Sequence, residues 1–158
     1  MPPSFVRDMS NKTTLVQKKK SLAPKLRFKE FNNEWHVEGL ESHIDMISGV
    51  PLKSEEISED ESGIPILRGI NITEGFVRHS MDIDRYYLND TKELEKFFIA
   101  KDDLVVGMDG SKVGKNVALI SEKDAGSILI QRVARIRNKL TSDIRFIYHH
   151  IFSTKFHR

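Results

Sequence analysis

The segment Gly110-Ser-Lys-Val-Gly114 is flanked by glycines, is followed at once by Lys115, and has the residue types of a phosphate-binding loop. A P-loop requires the pattern G-x-x-x-x-G-K-[ST], in which the hydroxyl coordinates magnesium. Counting back from Gly114 puts Asp109 where the first glycine is needed, and Asn116 takes the hydroxyl position. The dinucleotide pattern G-x-G-x-x-G fails as well, so this segment predicts no nucleotide site.

Other catalytic and metal-binding patterns are also missing. The sequence has no cysteine, which excludes thiolate zinc sites and cysteine nucleophiles. His149 and His150 are adjacent, about 100° apart on a helix, and cannot chelate as an i, i+4 pair. Asp90-Thr-Lys92 is the one Asp/Glu-x-Lys match, and helix capping explains its aspartate. Without G-x-S-x-G or N-P-P-Y, we predict no enzymatic activity, no cofactor and no metal.

A positively charged segment is the chemistry that remains. The formal net charge is only +2, but residues 110–139 hold seven basic side chains against two acidic ones. If residues 128–137 form one strand, alternation puts Gln131, Arg135 and Arg137 on one face and Arg132 on the other. Guanidinium groups spaced in this way suit phosphates or guanines. An ordinary solvated sheet face is the alternative.

The elements that position these side chains are predicted to be mostly strands. Extended stretches run over 64–68, 81–88, 104–108, 116–120 and 128–137, separated by turn residues. A short helix is expected after Asn89 or Asp90, either of which can cap it. A final helix is capped by Thr141, Ser142 or Asp143. Its apolar stripe recurs at helical spacing and consists of Ile144, Ile147, Tyr148, Ile151 and Phe152. The fold class is therefore α+β, strand-rich, with a few short helices and a C-terminal amphipathic helix.

Length and composition predict one main domain with a basic N-terminal tail. The chain has 158 residues, 39% of them hydrophobic. Residues 1–23 are expected to be a disordered basic tail or a remnant of an expression tag, and residues 24–158 the domain. Phe28, Phe31 and Trp35 place three aromatics in eight residues near its start. No apolar run reaches the ~18 residues of a membrane span, and no signal peptide is evident, so a cytoplasmic location is expected.

Five segments, in chain order, are similar to one known family and together cover residues 24–156. They are Pro24-Lys-Leu-Arg-Phe-Lys-Glu-Phe31 with Glu34-Trp35, Leu40 through Gly49, Gly63-Ile-Pro-Ile66, Asp103-Leu-Val-Val-Gly-Met-Asp-Gly-Ser-Lys-Val-Gly-Lys-Asn-Val-Ala118, and Gln131-Arg-Val-Ala-Arg-Ile-Arg137. Together they resemble the N-terminal target recognition domain of a type I restriction-modification specificity subunit.

This resemblance implies a non-catalytic subunit that reads double-stranded DNA. It implies recruitment of a methyltransferase (modification) subunit and, through it, a restriction subunit to one half of a bipartite site. The chain departs from the family pattern, since it has no second recognition domain, no spacer helix and no P-P-x-x-E-Q-like segment. We therefore expect a fragment or a truncated product. Gly49-Val-Pro-Leu52 also replaces the common Gly-Thr-Pro-Ser, so no role is carried onto those residues.

The predicted DNA-binding residues fall into two groups. Phosphate contacts are expected from the glycine-flanked loop and the basic strand, namely Ser111, Lys112, Lys115, Arg132 and Arg135. Base contacts are expected from side chains that can pair with base edges, namely Arg68, Asn71, Thr73, Arg78 and Gln131. A non-enzymatic protein-interaction domain with an incidental basic face is the alternative function.

Overall fold

A computed structural model describes residues 23, 26–35, 37–109, 115–139 and 142–153. The chain falls into two compact units, one up to Glu38 and one from Gly39 onwards. In the first unit a turn is closed by the Phe31 amide, which donates to the Phe28 carbonyl at 3.1 Å. The side chains of Phe28, Phe31 and Trp35 in this unit are mostly exposed. The predicted domain start at residue 24 stays a prediction.

The second unit contains, within the described residues, eight short strands and one α-helix. The strands are β1 (Ile44–Ser48), β2 (Ile64–Leu67), β3 (Glu74–Gly75), β4 (Arg85–Tyr87), β5 (Leu104–Gly107), β6 (Val117–Leu119), β7 (Ile128–Leu129) and β8 (Val133–Asn138), and the helix is α1 (Ile144–Phe152). Single 3-10 turns form at Leu40–Ser42, Ser54–Glu56, Gly69–Asn71 and Glu95–Phe97. The predicted strand-rich α+β class is confirmed.

Two mixed sheets organise these strands. The larger sheet has the order β1-β8-β5-β6-β3, and the smaller has the order β4-β2-β7. Most pairs are antiparallel, but β3 pairs parallel with β6 and β2 pairs parallel with β7. Pro65 lies in the central strand of the smaller sheet, before the pairing with β7 begins at Ile66. Proline has no N–H to donate, but at this position it removes no hydrogen bond from the pairing between β2 and β7.

Three apolar clusters hold the layers together. One joins the two sheets and includes Leu67 and Leu129 from the small sheet with Val105 and Val133 from the large one. A second lies between α1 and the large sheet, and a third covers the small sheet around Ile128. The large sheet is therefore covered on both faces, because the small sheet packs on one side and α1 on the other.

The predicted strand over 128–137 is divided in two, which corrects the expected alternation. β7 ends at Leu129 and β8 begins at Val133, and Arg132 between them has φ of 69°. β8 lies between β1 and β5 and is buried from Val133 to Ile136. Because a central strand covered on both faces has no solvent side, alternation along it does not mark an exposed surface.

The final helix agrees with its prediction at all but one position. Asp143 caps it, its carboxylate accepting a hydrogen bond from the Arg145 amide at 2.8 Å. Ile144, Ile147 and Ile151 are buried and Tyr148 packs beside them, whereas Phe152 remains 42% exposed.

The helix expected after Asp90 is only the 3-10 turn Glu95–Phe97. Asp90 instead accepts a hydrogen bond from the Lys92 amide. Among the described residues no helix is long and apolar enough to cross a membrane.

Candidate nucleic-acid interface

Arg135 is a buried structural residue, contrary to the predicted phosphate contact. It is 4% exposed, and its guanidinium donates to Asp45 at 2.9 Å and to the Lys96 carbonyl at 2.9 Å. Asp45 lies on the neighbouring strand β1. A guanidinium enclosed in this way has no free edge for DNA, so Arg135 leaves the set of candidate contacts.

Arg137 also forms an ion pair with a carboxylate of the fold. Its Nε and one terminal nitrogen bind the two carboxylate oxygens of Asp103, each at 2.7 Å. Asp103 is 2% exposed. The hydrogen bond to this carboxylate raises the pKa of Arg137 above its ordinary value, more than partial burial lowers it. The predicted arginine face on β8 is therefore largely an internal ion-pair system.

Asn71 also contradicts its prediction as a base contact. It is fully buried, and its side-chain amide forms hydrogen bonds within the fold. Its side-chain oxygen accepts from the Arg68 backbone amide at 3.1 Å. Its side-chain nitrogen donates to the Arg78 carbonyl at 3.2 Å and to Asp84 at 3.1 Å. A side chain with 0% exposure cannot reach a base edge, so Asn71 positions Arg68 and Arg78 instead.

Arg68 and Arg78 lie at the surface on either side of the Gly69–Asn71 turn. A terminal nitrogen of Arg68 donates to the Ile83 carbonyl. The Nε of Arg68 is buried and has no hydrogen-bond partner among the described residues. Desolvation by burial lowers the pKa of Arg68 below its ordinary value. Arg78 is exposed and donates to the Ile70 carbonyl at 3.1 Å.

A first depression brings together three of the predicted site residues, Arg68, Gln131 and Arg132. Its other lining residues are Ile57, Gly69, Ile70, Asp109 and Ile130. Arg132 is 73% exposed and donates to Asp109 at 2.8 Å. Gln131 donates to and accepts from the backbone of Leu52, so its amide already has partners.

A second depression shares Gly69 and Ile70 with the first and adds Thr73 and Arg78. Its remaining lining residues are Ile72, Glu74, Phe76 and Asn116. Thr73 donates its hydroxyl to the Phe76 carbonyl at 2.7 Å. We call the two depressions together the recognition cleft. Five predicted residues therefore line one or the other of these two depressions, although they come from separate segments of the chain.

Two residues that flank the glycine-flanked segment in sequence line the recognition cleft. Asp109, before the loop, lines the first depression, and Asn116, after it, lines the second. The Gly107 amide donates to the Asn116 carbonyl at 2.8 Å and so holds the two ends together. Lys115 is exposed. Ser111 and Lys112 lie outside the described residues, so their predicted phosphate contacts stay predictions.

His79 is a residue that the sequence did not indicate. One ring nitrogen lies 3.2 Å from Asp84 and the other 2.8 Å from Asp124, which is 3% exposed. Asp84 also receives the Asn71 amide, so these groups form one network beneath Arg78. Because Asp124 is 45 residues from His79, no local spacing predicts the pair. Within the described part of the chain, no group of three or more His, Cys, Asp or Glu side chains is arranged so that it could hold a metal ion.

Comparison with known proteins supports the resemblance inferred from the segments. No family model matches the chain. Over 111 residues the chain is 28% identical to the type I restriction enzyme EcoAI specificity subunit of Escherichia coli. The chain is similar to a type I specificity subunit. The matched part is 69% of this chain and 18% of that relative, so the chain spans only a minor part of its length.

One solved structure agrees with the fold. The HsdS subunit from Thermoanaerobacter tengcongensis superposes with a TM-score of 0.54 at 15% identity, covering 72% of this chain and 26% of that one. The S subunit of a type I restriction-modification system from M. genitalium gives a TM-score of 0.45 at 16% identity, covering 71% and 24%. The first of these similarities shows that this chain shares the fold of part of that subunit.

Proposed function

We propose that the chain is a target recognition domain that binds double-stranded DNA in a sequence-specific manner. It acts within the specificity subunit of a type I restriction-modification enzyme in the cytoplasm. It directs the modification subunit and, through it, the restriction subunit to one half of a bipartite site. It has no catalytic activity of its own and needs no cofactor. The similarity to a specificity subunit supports this role.

One observation carries the proposal, namely the meeting of Arg68, Thr73, Arg78, Gln131 and Arg132 in the recognition cleft. These residues span about 65 positions of sequence, yet the two depressions that they line share Gly69 and Ile70. Guanidinium, hydroxyl and amide groups are the side chains that pair with base edges and phosphates. Such a convergence of hydrogen-bonding groups is what a sequence-reading surface requires.

The residues of the cleft take different roles in the proposal. Arg132 and Lys115 contact phosphates together with Ser111 and Lys112 of the adjoining loop, because exposed cations beside a glycine-flanked backbone suit an anion. Arg78 reaches base edges, with Arg68 and Thr73 beside it. Gln131 joins them only by exchanging its bonds to Leu52, since both ends of its amide are occupied. Asn71 and Arg135 take no direct part.

Selection from a random duplex library tests the proposal, using the full chain alone and then with a modification subunit. We expect a short selected sequence. For three cationic phosphate contacts, the slope of log affinity against log salt should be about −2.7, an affinity loss of about fortyfold between 50 and 200 mM salt.

The alternative is a protein-interaction domain, and a specific observation favours it. Arg132, Arg135 and Arg137 each form an ion pair within the fold, which reduces the charge that the basic segment offers to DNA. If no duplex binds even at low salt, DNA recognition is excluded and the interaction role is preferred.

A further inference from the structure

The tight turn at residues 73–76 presents one aromatic side chain to solvent. Ile72 and Val77 form an antiparallel bridge at its base, and both are buried. The Thr73 amide and hydroxyl both donate to the Phe76 carbonyl, at 3.1 and 2.7 Å. Gly75 has φ of 102°, which glycine adopts without strain. The backbone of Phe76 is therefore fixed, while its ring is 60% exposed.

Phe76 lies in the second depression of the recognition cleft with a second exposed apolar residue, Ile70. Ile70 is 49% exposed, and its carbonyl holds the guanidinium of Arg78 at 3.1 Å. Single exposed apolar residues are ordinary on protein surfaces. Here two of them line one depression together with an arginine and the amide of Asn116, a combination of apolar and hydrogen-bonding groups in a small space.

The charge in this depression favours a base edge over a phosphate. Glu74 is exposed and lines the same depression. A carboxylate repels a phosphate brought close to it. Base edges in the major groove offer neutral acceptors and, on thymine alone among the four bases, an apolar C5-methyl group. A depression with both an arginine and exposed apolar side chains matches that pattern.

We infer that Phe76 is a specificity-determining residue, whose ring contacts the C5-methyl group of a thymine in the major groove. Arg78 bonds the neighbouring base pair, and Ile70 covers the other side of the methyl group. This inference rests on the proposed function. It narrows the target to half-sites that contain at least one thymine whose methyl group contributes to affinity.

The test replaces each thymine of the selected duplex by uracil, which removes only the methyl group. For the full chain we expect about a fourfold loss of affinity at one position, the value for one buried methylene-sized group. Phe76→Ala should bind the thymine and uracil duplexes equally at that position. Phe76→Leu, which keeps an apolar side chain, should still prefer thymine. Phe146→Ala removes another exposed phenylalanine, on α1, and should retain the full preference.

The outcomes separate this inference from the proposed function. Selective binding that is insensitive to uracil at every position, or a selected sequence without thymine, overturns the role of Phe76 and leaves DNA recognition intact. If Phe76→Ala binds more weakly but still prefers thymine, the ring contacts DNA in another way and the inference fails. If no duplex is selected at all, both fail. Thermal denaturation of Phe76→Ala should match the unmodified chain, because the ring is exposed and its backbone bonds remain.

Discussion

The arginines of β8 and those beside the Gly69–Asn71 turn differ in what their guanidinium groups bind. Arg135 and Arg137 bind the carboxylates of Asp45 and Asp103. Arg68 and Arg78 instead donate to neutral backbone carbonyls. A bonded carboxylate cancels the charge locally, whereas a carbonyl orients the side chain and leaves its positive charge to act on other molecules. Burial and the bonded partner together therefore indicate the role of an arginine better than its position in a basic segment does, because Arg132 also binds a carboxylate but is 73% exposed.

Arg137→Ala should give the largest effect on stability and none on DNA binding. The substitution leaves the carboxylate of Asp103 buried without its bidentate partner. We expect about 3 kcal/mol of lost stability in urea unfolding. DNA affinity should be unchanged at temperatures where the variant remains folded.

Two further variants sharpen this expectation. Arg137→Ala combined with Asp103→Asn should recover part of the loss, because a neutral amide can remain buried at lower cost. Arg145→Ala, at an exposed position on α1, should change stability by no more than about 0.5 kcal/mol. If Arg137→Ala instead weakens DNA binding with stability unchanged, the division between the two regions is wrong.

Asn71→Ala should reduce both the stability of the fold and the discrimination between duplexes, each by an intermediate amount. Removing the amide leaves the buried Arg68 amide and the Arg78 carbonyl each with one partner fewer. We expect a loss of about 2 kcal/mol in unfolding free energy. Discrimination between the selected duplex and a scrambled one should also fall, because the cleft arginines lose their common support. Asn89→Ala, at an exposed asparagine, is the matched control and should leave both measurements unaltered.

Arg78→Ala should leave stability within about 0.5 kcal/mol and weaken binding to the selected duplex by about tenfold, within the range for one arginine–base contact. The loss should be small on scrambled duplexes. Competition binding at fixed salt measures the ratio of the affinities for the selected and the scrambled duplex. An equal loss of affinity on all duplexes would make Arg78 a phosphate contact. No loss on any duplex would show that Arg78 does not contact DNA.

Much of the architecture follows from local sequence patterns. The features that these patterns did not predict have a common cause. The stripe of Ile144, Ile147 and Ile151 predicted α1, because helical spacing depends only on near neighbours. The role of β8 was missed because Arg132 at positive φ interrupts the strand and because packing buries both faces. Pairs such as Arg135 with Asp45, 90 residues apart, depend on the assembled sheet and leave no local pattern.

For the candidate site, side-chain chemistry predicts which residues could bind DNA but not which of them are exposed. Arg68, Thr73, Arg78, Gln131 and Arg132 have hydrogen-bonding side chains and line the cleft, and their contacts with DNA stay predictions. Asn71 has the same chemistry but is enclosed, because residue type alone does not reveal burial. The apolar members Ile70 and Phe76 were passed over, since an apolar side chain is ordinarily assigned to the core.

The burial of Asn71 has a consequence for how target preference can change over generations. Its amide fixes the main chain at Arg68 and Arg78 without using the outward side chains of residues 70, 76 and 78. Substitutions at those three positions therefore alter the surface offered to DNA while the supporting bonds persist. Under the proposed function, a change of target would therefore need few substitutions and would cost little folding stability.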